Sequence, residues 1–391
     1  MKVLHVLNAV TGGSVYSTLE LIAELKTQGV ESYLVCEKNG TAARREEIKQ
    51  MLGGKALFIP LYRANEKIRT ALWKRPFLDL KLSLDTHRGH KFQAQLEEIV
   101  RQEKIDIIHT STSINPEGAI LAAKTGLPHV WHIRELVGPG KHFTFGDHQT
   151  WVRSVEQQSG MVVANSKATY DCLAPYMSNP NKLCTIPNAI HVNKFTPKVH
   201  TNEGNVVVAM VGALDSRWKN HASFIEVAAE LKNVPNIEFR IYGKIPPETD
   251  PYMRELRHLK NTLGLTDLQL KFMGHLSKPE QFMQEIDLMF HPTSLESFGR
   301  VFTEAMAAAV PVIGINKGGA LEMVRDGYSG FLVPEDDMAY ICEKIKLLAS
   351  SVELRQKFGN AGRQIVEQAF DMPVLGVRVK SLYEQLVSQK K

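Results

Sequence analysis

The sequence predicts an α/β protein built as two doubly wound units in tandem. Three observations carry that prediction. Short apolar runs of strand length alternate with stretches of helical periodicity along the whole chain. No tight-hairpin signal joins consecutive runs, which leaves parallel strands with helices on both faces. The alternation restarts after a polar stretch at 197–205 that carries Pro and Gly and reads as a linker.

The elements follow in order. Residues 2–7 (KVLHVL) form the first strand, and Gly12-Gly13 turns the chain. Val15, Leu19 and Ile22 then recur at helical spacing until Gly29 ends the helix. Strands are expected at 32–36 and 105–109, followed by a helix through 117–124 that stops at Gly126. Strands at 128–133, 161–164 and 183–186 complete the first half, the last running into Pro187-Asn188. In the second half, 206–211 is continuously apolar, as a buried parallel strand should be. Gly212 follows, and Phe224, Val227, Ala228 and Leu231 make a helical stripe. Strands at 237–242, 268–273, 287–291 and 310–315 alternate with helices near 251–263, 278–286 and 300–309. Helices near 337–349, 352–369 and 374–388 finish the chain. In open parallel sheets, ligands sit beyond the carboxyl ends of the strands. With two such sheets, the expected site is the cleft between domains.

Composition narrows the function classes. The 391 residues are 43% hydrophobic and 23% charged, which excludes a collagen-like, low-complexity or largely disordered chain. Lys plus Arg is 47 against 42 Asp plus Glu, a net of +5. Residues 1–200 hold 25 basic and 18 acidic residues, and 201–391 hold 22 and 24, so the halves carry +7 and −2. Cys36, Cys172, Cys184 and Cys342 show neither CxxC nor zinc-ligand spacing, as expected of reduced thiols in a cytoplasmic protein. The opening apolar run is short, contains His5 and lacks a small-residue cleavage site, so it reads as a strand and not a signal peptide. No apolar stretch reaches the roughly 18 residues of a spanning helix.

Nucleotide motifs are informative by their form. The first strand is followed by Thr11-Gly12-Gly13-Ser14 in place of G-x-G-x-x-G, and no G-x-x-x-x-G-K-[ST] occurs. This argues against a dinucleotide dehydrogenase and a P-loop enzyme. No Asp-x-Asp offers a carboxylate pair for Mg²⁺ on a diphosphate, so no metal is expected. Phosphate binding then falls to backbone amides, helix N-termini and cationic side chains. The basic residues form no recognisable nucleic-acid module.

The most informative stretch is 291–333. A strand ends at His291, the turn Pro292-Thr293-Ser294-Leu295-Glu296-Ser297-Phe298-Gly299 follows, and a helix begins near Arg300. Glu296 sits in the turn and Glu304 inside the helix, so both carboxylates can enter one pocket. One carboxylate can accept from two sugar hydroxyls, and Gly299 lets backbone approach a ligand closely. Taken alone, Glu-x7-Glu also suits a structural pair on a solvated helix start.

Read in order, Glu296 to Glu304, Ala305-Met306-Ala307, Pro311-Val312-Ile313, Gly318-Gly319-Ala320-Leu321-Glu322 and Asp326-Gly327-Tyr328-Ser329-Gly330 resemble glycosyltransferase family 4. This is a group of retaining, nucleotide-sugar-dependent transferases with the GT-B fold. The likeness extends to Gly12-Gly13, to Ile186-Pro187-Asn188 and to Phe195-x-Pro197. The resemblance implies two Rossmann-like domains facing each other across a cleft. We expect an acceptor-binding domain at 1–198, a donor-binding domain at 199–371, and a last helix, 372–391, that packs back on the first.

By the same resemblance, Glu296 contacts donor-sugar hydroxyls or sits beside the reacting carbon, and Glu304 holds the ribose. Phe298, Gly299 and Arg300 offer backbone amides around the sugar and diphosphate. Lys219 matches the lysine that neutralises the diphosphate. The family arginine that follows the glycine is replaced by Ala213; Arg217 stands close enough in sequence to supply the charge, or is a solvated loop residue. His132 matches the active-site histidine, without the aspartate that commonly follows it, and as a lone residue it also suits a core position. Gly12 and Gly13 match the glycine loop that admits acceptor and donor phosphate. The implied activity is transfer of a sugar from a nucleoside-diphosphate sugar to an acceptor hydroxyl in polysaccharide, lipopolysaccharide or glycolipid synthesis, with no cofactor and no metal. A sugar-nucleotide epimerase and a catalytically silent sugar-nucleotide-binding protein are the alternatives.

The acceptor is suggested by 63–91. Eight Lys and Arg stand there against Glu66, Asp79 and Asp85, interleaved with Leu72, Trp73, Phe77 and Leu78. The composition suits an interfacial segment on anionic lipid headgroups, and equally a core-packed segment with a solvated basic face. It points to a saccharide or lipid-linked acceptor and a peripheral position on the cytoplasmic face of an anionic membrane.

Overall fold

The structure, a computed structural model, describes residues 1–59, 92–275 and 278–390. The basic segment 63–91 lies outside the described residues. Two compact units are present, one made of Met1–Asn188 with Met372–Lys391, the other of Ala189–Asp371.

In the first unit the order is β1 (Lys2–Leu7), α1 (Gly13–Thr27), β2 (Glu31–Glu37), α2 (Ala42–Met51), β3 (Ala56–Ile59), α3 (92–103) and β4 (Ile107–Thr110). There follow α4 (Glu117–Thr125), β5 (His129–Ile133), α5 (His148–Gln157), β6 (Met161–Ala164), α6 (Lys167–Leu173) and β7 (Leu183–Thr185). The strands form one sheet in the order β3-β2-β1-β4-β5-β6-β7, and every pair is parallel. The second unit runs β8 (Val206–Val211), α7 (His221–Glu230), β9 (Ile237–Tyr242), α8 (Pro251–Thr262), β10 (Leu270–Gly274), α9 (Pro279–Phe282) and β11 (Leu288–His291). It continues α10 (Arg300–Ala307), β12 (Val312–Ile315), α11 (Ala320–Met323), β13 (Gly330–Val333), α12 (Met338–Ser350) and α13 (Val352–Ala369). Its sheet order is β10-β9-β8-β11-β12-β13, again all parallel.

Both sheets reverse their strand order once, between β1 and β4 and between β8 and β11. The loops leaving these adjacent strands splay to opposite faces, so each reversal opens a crevice at the carboxyl ends. β8 and β11 are buried almost throughout, which is why β8 is continuously apolar and β11 is apolar up to His291.

The last helix, α14 (Met372–Ser388), belongs to the first unit. Met372, Leu375, Gly376, Val379, Leu382, Tyr383 and Leu386 make its buried stripe. Gly376 allows the closest approach to α1, since a Cβ there would lie 2.6 Å from Glu24 Cγ. The Lys380 ammonium also donates to the Gln28 carbonyl at 3.0 Å.

The chain enters the second unit after Asn188, ahead of the boundary expected at 198. Residues 189–198 belong to the second unit's packing: Ile190, Val192 and Phe195 are buried in its core, and the backbone is tied down. Ile190 N donates to Phe370 O at 3.0 Å, Val192 N to Asp371 Oδ1 at 3.1 Å, and Lys198 pairs with Asp287 at 2.7 Å. Among the described residues no helix is long and apolar enough to cross a membrane.

Candidate active site

The second unit concentrates the predicted residues at its strand-order reversal. β8 ends at Val211, and Gly212 follows. A Cβ on Gly212 would lie 3.3 Å from Lys219 Cγ, so the missing side chain leaves room for the lysine stem. A short 3-10 turn, Arg217–Lys219, ends at Asn220, which takes a left-handed conformation (φ 61°) and opens α7. On the neighbouring strand, β11 ends at His291 and its loop carries Glu296. Two side-chain bonds tie these loops together: Thr293 Oγ1 donates to the Trp218 carbonyl at 2.6 Å, and Asn220 Nδ2 to the Pro292 carbonyl at 3.1 Å.

The result is a buried charged cluster. Lys219 Nζ lies 2.6 Å from Glu296 Oε2, and their side chains are 13% and 10% exposed. The Trp218 ring centroid is 4.1 Å from the same ammonium, a cation–π contact that fixes it further. His291 Nε2 lies 3.3 Å from Glu296 Oε2. Both donors use Oε2; among the described residues none donates to Oε1. Burial alone would raise the Glu296 pKa. The Lys219 charge and the His291 hydrogen bond outweigh it, so the carboxyl is held far below the usual carboxylate range. Burial lowers the His291 pKa, aided by Lys219, so its imidazole is neutral and must donate through Nε2–H.

The loop bearing Glu296 is clamped from β12. Gly319 N donates to the Glu296 carbonyl at 2.9 Å. Gly318 has φ 62°, and a Cβ on it would stand 2.6 Å from that carbonyl oxygen. A Cβ on Gly319 would stand 2.2 Å from the Phe298 carbonyl oxygen. The Gly318-Gly319 pair therefore exists to let two backbones touch. Phe298 is buried, its ring edge-on to Phe370 at 5.6 Å. Gly299, at φ 91°, caps α10 with no side-chain cap bond, and its carbonyl accepts from Phe302 N at 2.9 Å. Arg300 Nε donates to Glu304 Oε1 at 2.7 Å, and Glu304 is buried on α10. The two predicted glutamates thus have different partners.

Arg217 does not join this cluster. It makes a bidentate pair with Glu255 on α8, at 2.6 and 2.8 Å, and lies over the Tyr252 ring; both charged side chains are more than half exposed. Successive residues of a 3-10 turn rotate by about 120°, so residues two apart leave it in different directions. Of the two readings of Arg217, its placement here is that of a solvated loop charge.

In the first unit the predicted residues stand at strand ends beside the other reversal. Gly12 takes φ 110° and caps α1, and Gly13 begins that helix; neither position has an atom within 4 Å of an added Cβ. His132, on β5, is 1% exposed. Its ring stacks on His109 of β4 at 5.4 Å, and His109 lies 5.3 Å from His5 of β1. His109 Nδ1 bonds the Tyr383 hydroxyl of α14. Burial first, and then the Arg134 guanidinium, hold His132 well below the ordinary histidine value. Among the described residues no group of three or more His, Cys, Asp or Glu side chains is placed to hold a metal ion.

His291 was not legible in the sequence. A histidine ending an apolar run before proline looks like any core histidine, and only the loop's return brings Glu296 to it.

Comparison with known proteins identifies the class to which this two-unit fold belongs, the glycosyltransferases. The model of "Glycosyltransferase Family 4" matches 11–194, and that of "Glycosyl transferases group 1" matches 192–365. The chain belongs to the family 4, group 1 glycosyltransferases and has the GT-B fold. It is similar to the capsular polysaccharide biosynthesis glycosyltransferase CapM of Staphylococcus aureus, 29% identical over 198 residues, which spans 50% of this chain and about half (51%) of that protein. It is also similar to the putative glycosyltransferase EpsD of Bacillus subtilis, 25% identical over 322 residues, 74% of this chain and 81% of that one. Among solved structures, HepE from Anabaena in complex with UDP matches with a TM-score of 0.78 at 21% identity, over 98% of this chain and 100% of that chain.

Proposed function

We infer that the protein is a retaining glycosyltransferase that moves a sugar from a nucleoside-diphosphate sugar to an acceptor hydroxyl. The observation that carries this reading is the division of labour on Glu296: Oε2 is committed to Lys219 and His291, while Oε1 is left to accept from an incoming ligand. A carboxylate with one oxygen anchored and one open is suited to sugar hydroxyls. The ammonium beside it suits the diphosphate.

The bond that breaks joins the anomeric carbon to the leaving phosphate, and negative charge gathers on that phosphate. Lys219, held by Glu296 and Trp218, is the charge that would stabilise it without reorganisation during the reaction, aided by the positive end of the α10 dipole. No step needs a metal. Glu296 is held ionised by its partners, and we assign it to hydroxyl binding and not to nucleophilic attack. In front-face attack the leaving phosphate accepts the acceptor hydroxyl's proton, which leaves the enzyme no general-base task. Glu304 is assigned to the ribose. Gly12, Gly13 and His132 are assigned to acceptor and phosphate approach in the first unit. A saccharide or lipid-linked acceptor on a cytoplasmic membrane face fits the capsular polysaccharide biosynthesis role named for CapM.

The test is thermal-shift screening against UDP-, GDP-, ADP- and TDP-sugars, since a ligand that binds the native state raises stability by mass action. The donor that binds is then followed by NMR without acceptor. Slow release of sugar with the donor's own anomeric configuration supports the reading; inverted sugar, or an epimerised but intact donor, refutes it.

A further inference from the structure

His291 has no task in the scheme above, yet its placement is costly for a purely structural residue. It ends β11 with no exposure. Its Nε2 is spent on Glu296, and its Nδ1 has no hydrogen-bond partner in the protein. An unpartnered polar atom at such a depth is a desolvation cost that leucine or phenylalanine would avoid. The ring is also fixed in direction. His291 pairs in register with Gly314 of β12, and Phe302 of α10 meets the imidazole edge-on at 5.5 Å and 89°. Phe302 packs over Gly314, where a Cβ would stand 2.9 Å from its ring, so the missing side chain is what lets the ring sit against β12. Sheet and helix therefore aim Nε2–H at Oε2.

What such a fixed donor would do follows from the other partner of Glu296. Lys219 holds Oε2 at 2.6 Å in the structure, but a diphosphate brings two competing anionic groups to the same ammonium. Once Lys219 turns to them, its grip on Glu296 loosens, and a glutamate side chain with three rotatable bonds would swing. His291 is the contact that remains. The geometry points to His291 as a positioning residue: its Nε2–H keeps Glu296 Oε2 anchored, so that Oε1 stays aimed at the donor-sugar hydroxyls while Lys219 engages the diphosphate. This rests on the donor-site reading above.

The experiment compares the full chain with His291→Phe, His291→Gln and His291→Asn. Phe keeps the ring and removes the donor. Gln places an N–H near the position of Nε2. Asn is equally polar but reaches only as far as Nδ1. Each is tested for affinity to the nucleoside diphosphate alone, affinity to the sugar nucleotide selected above, and rate of donor consumption. His291→Phe should lower donor consumption about tenfold or more and weaken the sugar nucleotide, while the bare nucleoside diphosphate binds within about twofold of wild type. Gln should restore most of the rate and Asn should not. Equal losses for nucleotide and sugar nucleotide would overturn the assignment, as would Gln and Asn behaving alike or a fully active Phe variant. If the Phe variant does not fold, the Gln–Asn contrast decides by itself. A wild-type chain that neither binds nor consumes any nucleoside-diphosphate sugar removes the donor-site reading, and this inference with it, before any variant is made.

Discussion

At the scale of single residues, the chemistry concentrates on a lysine and a glutamate that are 77 positions apart in sequence and 2.6 Å apart in space. Lys219→Ala and Glu296→Ala should each lower transfer about 100-fold, the scale for removing a fixed electrostatic partner. Arg217→Ala should stay within about threefold, because its charge is spent on Glu255 in solvent, where such pairs contribute little. Steady-state rates with the selected donor check all three; an Arg217→Ala loss as large as that of Lys219→Ala would return Arg217 to the site. The lysine and glutamate were legible because the order of motifs around them is specific. Arg217 was left with two readings because sequence proximity says nothing about direction out of a 3-10 turn. His291 was invisible because its partner lies across a loop whose path is set by Gly318 and Gly319, not by local pattern.

At the scale of elements, two strands were legible to the residue: β8, a continuous apolar run, and β9, an alternating one, span the predicted 206–211 and 237–242. Two four-residue strands, β3 and β13, escaped, although β4 and β6 are as short and were read. α2 buries only Ile48, so it shows no apolar stripe to read, and its start rests on Thr41 accepting from Arg44 N. The contact that matters most for the site is likewise nonlocal: the β12–α11 turn presses its glycines on the β11–α10 loop. Gly319 has ordinary helical dihedrals (φ −65°), so alanine there costs no backbone strain, only the collision with the Phe298 carbonyl. Gly319→Ala should therefore destabilise the protein by about 1–3 kcal/mol, the cost of overpacking a rigid contact. It should also lower transfer by about tenfold or more, by displacing the loop that holds Glu296. Urea unfolding and donor consumption check the two effects; a variant of unchanged stability and rate would show that the loop tolerates displacement.

At the scale of the whole molecule, the two units differ in how they store buried histidine. The first holds four whose pKa values burial pushes down: His5 to about 3, His129 to about 4, and His109 and His132 well below the ordinary value. The second holds His221, pushed down to about 4, and His291. Unfolded histidine titrates near 6.5. Between that value and the folded value, the unfolded chain binds protons that the native unit refuses. Stability from these groups is thus complete above about pH 6.5 and falls as pH drops toward the folded pKa, by up to about 1.4 kcal/mol per pH unit for each histidine. With four such groups against two, the first unit should weaken faster. Glu135 in the first unit, whose pKa burial raises, takes up a proton in the folded state and offsets one histidine at most, which leaves the contrast standing. Asp287 in the second unit, which burial would raise, is instead held far below its usual range by His200 and Lys198, so its contribution is lost only in stronger acid. Hydrogen exchange at pH 7.5, 6.0 and 5.0, corrected for intrinsic rates, should show protection lost first in β1, β4 and β5 while β8 and β11 keep theirs. Parallel loss in both sheets, or protection in β1 that does not change with pH, would mean that the buried imidazoles are matched by equal proton uptake in the folded state.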